Sequence, residues 1–241
     1  PKDGEKAKDA EKNAPSRPLP PSRSSPPRRS SLVTRRSSFV VLLILLLAFA
    51  LRAWNLTGTP PGLTHDEANH GREAIGILAG ELRLFFPLNY GSEPLYSYTV
   101  ALSMALFGRG LFALRLVNVL FGLLTVAITT AWAAPRFGRG VALLGAALLA
   151  VSFWPLASSR EALRAGMLPF FFTLAVWAFW QITNEEKSHA KTPSTPSLRS
   201  LAYFASSREF LFSIALAATL YIYLAARVSW LVFPLFLGYL A

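Results

Sequence analysis

Between positions 62 and 81 the sequence reads GLTHDEANHGREAIGILAGE, which gathers His65, Asp66, Glu67, His70, Arg72 and Glu73 into one short stretch. Side chains of these types can move a proton, hold a metal ion or start a helix. The spacing Thr64-x-x-Glu67 fits a capping box, in which each residue satisfies a backbone N–H of the other. Asp66, in the first turn, also suits the positive end of the helix dipole. Ala68, Ile75, Leu78 and Ala79 then share an apolar side, Asp66, Asn69, His70 and Glu73 a polar one, and Gly80 ends the helix. On spacing alone, a purely structural carboxylate pair and a chemical one stand level. The spacing of His65, Asp66 and His70 matches no strong zinc pattern, and a divalent metal stays an open cofactor candidate.

The surrounding elements are those of an integral membrane protein. Of 241 residues, 53% are hydrophobic and 15% charged, against about 25% charged in a soluble domain. Mean hydropathy is +0.39. The sequence holds no cysteine, which excludes disulfides and thiolate chemistry within it. Its net charge of +11 lies largely in the N-terminal tail and beside apolar runs, a pattern that orients membrane helices and does not point to nucleic acid. Residues 1–38, rich in Pro, Ser, Lys and Arg, have too few apolar side chains to fold and read as a disordered basic cytoplasmic tail. Residues 39–241 read as the N-terminal part of a transmembrane domain, and the chain stops at Ala241 within an apolar run, as a fragment would.

Apolar runs fall at 39–54, 94–107, 111–133, 141–157, 167–182, 210–224 and 228–241. A bilayer core asks for about 20 residues, so several are short. The run PLYSYTVALSMALFG, which opens with proline and tyrosines, decides the topology. If it crosses, Arg136, Arg139, Lys187, Lys191, Arg199 and Arg208 all fall outside, against the positive-inside rule; if it lies along the interface, they join the basic tail in the cytoplasm. The second arrangement is the expected one. It sends three segments to the outer face: 57–110, 158–166 and the turn near Arg227. Residues 184–208 become a cytoplasmic connector.

The segment HDEANHGREAIGILAGE resembles the D-E motif in the first external loop of glycosyltransferase family 39, the protein O-mannosyltransferases and their relatives the lipid A aminoarabinose transferases. YGSEPLYSY resembles that fold's second juxtamembrane helix, and ALRLVNVLFGLLTV the R-L-P-S-A-L-F-G stretch of the mannosyltransferases. SREALRAGMLPFFFTLAVW is similar to the next external loop and helix, and LYIYLAARVSWLVFP to a later segment of bacterial members. The series runs in order from Phe39 to Ala241. Glu93 stands where the aminoarabinose transferases carry lysine, and Leu168 where they place aspartate before Pro-Phe; both departures weigh against that particular sugar.

The resemblance implies an all-α, polytopic transmembrane bundle of the GT-C type with juxtamembrane helices in the first external loop. It implies an inverting glycosyltransferase of the bacterial plasma membrane, N-terminus cytoplasmic and site outside, moving sugar from a polyprenyl-phosphate donor to a protein, lipid or glycan acceptor. Such a site needs a base for the acceptor hydroxyl and cations for the departing phosphate. By motif match Asp66 is the candidate base, its pKa expected to rise at the dehydrated lipid boundary, and Glu67 its capping or acceptor-binding partner. Arg115, Arg160, Arg164 and Arg227 are the candidates for donor phosphate, because guanidinium binds phosphate oxygens with paired donors. Glu93 could bind acceptor, a metal or a nearby arginine. Tyr96, Tyr98, Tyr221 and Tyr223 read as an aromatic belt. The rival classes are a transporter, which would show an inverted repeat not found here, and a non-catalytic scaffold whose basic tail binds lipid or a partner.

Overall fold

The computed structural model describes residues 31–88, 91–189, 207–222 and 231–240. By internal contacts, residues 1–35 and 36–241 are separate units, and the side chains discussed below belong to the second. Among the described residues the chain is helical, apart from one isolated bridge between Phe86 and Ser92. The helices are α1 (Ser31–Ala53), α2 (His65–Leu78), α3 (Pro94–Phe107), α4 (Leu111–Phe137), α5 (Arg139–Val151), α6 (Phe153–Ser158), α7 (Leu168–His189), α8 (Ser207–Leu220) and α9 (Val232–Leu240), with a 3-10 turn at Arg164–Met167. The first helix thus begins at Ser31, ahead of the start expected at Phe39. Among the described residues two stretches are long and apolar enough to cross a membrane, Leu111–Phe137 and Arg164–Thr183; Ser38–Ala53, Pro94–Phe107 and Arg139–Val151 are shorter apolar helices.

Side-chain size is distributed as in a lipid-solvated protein. In α5, Ala142, Ala146 and Ala150 recur every fourth residue and are buried, while Val141, Leu144, Leu148 and Val151 are exposed. In α1, Ala48 is buried while Leu42, Leu43, Leu46 and Leu47 face outward. Lipid tails are as apolar as leucine, so close packing falls to small residues that let backbones approach. Gly122 of α4 shows this: a Cβ there would meet Ser159 Cβ at 2.8 Å and Arg52 Nε at 3.1 Å.

Helix ends are closed by arginines from other elements. Pro155 has no N–H and its ring excludes the carbonyl four residues back, so α5 stops at Val151 and the chain restarts as α6. The carbonyls of Leu149 and Ala150, left over in that last turn, accept from Arg52 at 3.0 Å each. Arg160 closes α1 likewise, donating to the carbonyls of Leu51 at 2.7 Å, Arg52 at 3.1 Å and Trp54 at 2.6 Å, and to Thr59 in the following loop at 2.9 Å. A cation at a helix C-terminus also complements the dipole.

The short stretch 159–166 therefore holds several elements. Asn118 of α4 donates to the carbonyls of Glu161 and Leu163. Ala162 N–H donates to Glu67 at 2.9 Å, and Arg164 reaches Glu93 at the start of α3. These contacts fix the course of α3. Its N-terminal end is tied to Arg164, while α4, which follows it, is tied through Arg115 and Glu67 to Ala162. The N-terminal end of α3 thus meets this stretch of chain. At about 1.5 Å per residue its 14 residues span roughly 21 Å, short of a hydrocarbon core of about 30 Å.

A Cβ on Gly166 would land on the Asn118 amide. Gly166→Ala is therefore expected to lower the apparent melting midpoint in detergent, a cost of about 1–3 kcal/mol. In an Asn118→Ala background the same change should cost markedly less, since the clash is removed.

Candidate active site

Helix α2 starts as its sequence requires. Thr64 Oγ1 accepts from Glu67 N–H at 3.3 Å and Glu67 Oε2 accepts from Thr64 N–H at 3.0 Å, which closes the capping box. The faces of the helix, however, are mixed: of the expected polar side Asn69, His70 and Glu73 are buried but Asp66 is exposed, and of the expected apolar side Leu78 packs on the core. Glu67, Asn69, His70, Gly71, Glu73 and Ala74 are buried, and Ile75 and Ala79 are exposed. Burying a polar face is favourable only when its groups find partners. Two networks supply them.

In the first, Arg115 Nε donates to Glu67 Oε1 at 2.8 Å and Nη2 to Oε2 at 3.1 Å, a bidentate pair at 0% exposure on both sides. The remaining guanidinium protons go to carbonyls: Nη1 to Leu56 at 3.0 Å and Pro60 at 2.9 Å, Nη2 to Gly62 at 2.7 Å. All five donors of Arg115 are engaged. Glu67 accepts in addition from the amides of Thr64 and Ala162. Burial by itself pushes the Glu67 carboxyl up, but the hydrogen bonds from Arg115, Thr64 and Ala162 and the guanidinium charge outweigh it and hold the group below the usual carboxylate range.

The second network lies one turn further along α2. His70 Nδ1 is 3.0 Å from Glu73 Oε2, Ser92 Oγ donates to Glu73 Oε1 at 2.9 Å, and Ser97 Oγ donates to Oε2. Burial raises the Glu73 carboxyl, and the hydrogen bonds from His70, Ser97 and Ser92 more than offset it, so this group also sits low. Tyr96 packs edge-on against His70, with ring centroids 4.8 Å apart, and is fully buried, which removes it from the expected aromatic belt. Its hydroxyl meets no partner among the described residues; burial, with the charge of Glu67 nearby, pushes the phenol well above its ordinary value. Sequence reading missed Ser92, Ser97, Arg52 and Asn118. The i, i+3 spacing of His70 and Glu73 was the available signal for that pair.

The expected site residues separate accordingly. Arg115 and Arg160, expected from sequence at the donor phosphate, spend their donors on Glu67 and on backbone carbonyls. Glu67 likewise has both oxygens engaged and no exposure. Arg164 Nη1 donates to Glu93 Oε2 and to the Gly91 carbonyl, each at 3.0 Å, so Glu93 meets a nearby arginine, one of the partners considered for it. Arg227 and Tyr223 lie outside the described residues. Asp66 differs from all of these. Its side chain is 56% exposed at the first turn of α2, with His65 Nδ1 3.7 Å away. Among the described residues no three His, Asp or Glu side chains gather in metal-ligating geometry.

Residues 76–207, more than half of the chain, match the family described as dolichyl-phosphate-mannose-protein mannosyltransferase. The chain belongs to this family. It is accordingly a membrane-integral glycosyltransferase of the mannosyltransferase kind, served by a lipid-linked sugar donor. The match takes in α3, α4 and the 159–166 stretch of this mannosyltransferase-family chain, while the D-E pair stands just ahead of it. Neither the curated proteins nor the solved structures compared with the chain match it.

Arg115→Leu would leave Glu67 buried without its counter-charge, at a cost of about 3–5 kcal/mol. The expected readout is a lowered melting midpoint in detergent, partly restored by adding Glu67→Gln. Because the folded-state values of Glu67 and Glu73 lie below the roughly 4.3 of a free glutamate, their contribution is complete above that pH and is lost as pH falls through the folded values. The wild-type midpoint should therefore hold steady above about pH 5 and drop below about pH 4, and Glu67→Gln should blunt the drop.

Proposed function

We propose that the chain carries the acceptor-activating part of an inverting glycosyltransferase whose site opens on the outer face of the plasma membrane. The donor is a polyprenyl-phosphate sugar, and the acceptor is a hydroxyl-bearing protein, lipid or glycan. In the step, the acceptor oxygen forms a bond to the anomeric carbon from the side opposite the phosphate. The bond from that carbon to the phosphate oxygen breaks, and polyprenyl phosphate leaves with the electron pair. Asp66 takes the acceptor's proton, and a guanidinium stabilises the charge on the leaving group.

The observation that carries this reading is the division of labour within the D-E pair. Glu67 has every oxygen committed to the fold, whereas Asp66, one residue earlier on the same capped turn, presents its carboxylate outward. The turn that aims Asp66 is fixed by the most buried ion pair of the structure's described part, which gives the base a set position. For the phosphate, Arg164 is the candidate among the described arginines of the original set, since it is 19% exposed while Arg115 and Arg160 are enclosed. Arg227 remains a second candidate. Membrane sidedness is supported by the length of α3, whose 14 residues span roughly 21 Å against a hydrocarbon core of about 30 Å and so fit an interfacial course. That course leaves the basic segments, tail included, on the cytoplasmic side.

The test is transfer from radiolabelled polyprenyl-phosphate sugars in membranes carrying the full-length protein. Asp66→Asn should lower turnover by about 10²–10⁴-fold with normal insertion and melting; unchanged turnover would remove Asp66 from the mechanism. For sidedness, a cysteine replacing Ser158 should react with an impermeant thiol reagent in intact cells, and one replacing Ser188 should resist it.

A further inference from the structure

The loop between α2 and α3 carries Leu82, Leu84 and Phe85 outward, with Leu84 at 89% exposure, and neither the transfer chemistry nor the two buried networks uses them. Three such side chains within four residues would be a liability in water. They are also held open by specific contacts. Tyr98 of α3 accepts from the Arg83 N–H at 3.0 Å and donates to the Arg83 carbonyl at 3.1 Å, so one hydroxyl clamps the middle of the loop to the helix. The Phe85 ring lies over Gly91, where φ is +99° and a Cβ would overlap it. Phe86 pairs with Ser92 through both backbone hydrogen bonds, at 3.1 and 2.8 Å, and turns its own side chain inward against Tyr98.

The clamp also sets the direction. Tyr98, Leu102, Ala105 and Leu106 follow one another at four, three and one positions, which puts them on one stripe of α3, and Leu102, Ala105 and Leu106 are exposed. The loop is therefore fastened to the outward apolar stripe of α3, opposite the face that buries Tyr96, Ser97, Val100 and Met104. At its other end that surface is continuous with a candidate membrane span: Phe107 of α3 meets Phe112 of α4 edge-on, centroids 6.3 Å apart, and both are exposed.

We propose that residues 82–85 insert into the bilayer at the boundary of acyl chains and headgroups, as the far margin of one lipid-facing surface that begins on α4 and runs along α3. The occupant is lipid, by continuity with the surface that a membrane-integral chain already presents to it. Arg83 and Arg109, both exposed and flanked by these apolar side chains, stand at headgroup level facing lipid phosphates. Inserted there, the loop sets the height of the serines and of Glu93 that follow it, and thus the depth at which a membrane-borne donor is met. The inference rests on the interfacial course of α3.

Because the sequence contains no cysteine, introduced thiols are unique within it. The full-length protein with Leu84→Cys, Phe85→Cys or Leu106→Cys would be nitroxide-labelled and reconstituted in phosphatidylcholine and phosphatidylglycerol vesicles. Collision with oxygen is then compared with collision with a water-soluble nickel chelate. Labels at 84 and 85 should favour oxygen to an extent comparable with the label at 106. If 106 favours oxygen while 84 and 85 favour nickel, the loop stands in water: the inference is overturned and the course of α3 stands. Nickel preference at all three positions would overturn both. Shielding of 84 and 85 from both reagents would mean that protein, a partner or a second copy, covers the loop, which also refutes insertion.

Discussion

The ion pair between Glu67 and Arg115 is the constraint on which the other arrangements hang. Each group is dehydrated, and removing two charges from water costs several kcal/mol apiece unless every lone pair and proton is answered. Here they are answered by a helix N-terminus, three loop carbonyls and an amide from a third element. Because the answering groups are backbone atoms of 56–64 and 162, the pair cannot form without assembling those segments around it. The charge cost is converted into conformational definition, which is the use a buried ion pair serves best.

That definition explains why Asn69, His70 and Glu73 of α2 lie inward. In a soluble domain, Ile75 and Ala79 would be drawn to the core and His70 and Glu73 to solvent. At a membrane surface, exposed apolar groups meet lipid, and polar groups are best placed where fixed donors exist. Ser92 and Ser97 supply those donors to Glu73 from the segment that opens α3. The same inversion recurs in α5, where alanines are buried and leucines exposed.

Two of the described arginines act as helix closures. Arg52 satisfies the carbonyls stranded by the Pro155 break, and Arg160 those at the end of α1. Within an apolar surrounding a bare carbonyl costs as much as any lost hydrogen bond, and the long guanidinium arm can answer two or more at once.

The sequence by itself determined the class of the chain, the capped start of α2 at Thr64 and Glu67, its end near Gly80, and the short extent of α3. These depend on local spacing, cap chemistry and apolar length, all of which act within a few residues. It also carried the family motifs that name Asp66. It could not decide which member of the D-E pair is enclosed, nor that Arg115 and Arg160 are occupied. Capping and catalysis ask for the same residue types at the same spacing, and the partners that separate them come from 48 to 109 positions away. Only the tertiary structure brings Ala162 and Arg115 onto Glu67, and once they arrive, no acceptor site on that carboxylate is left for chemistry.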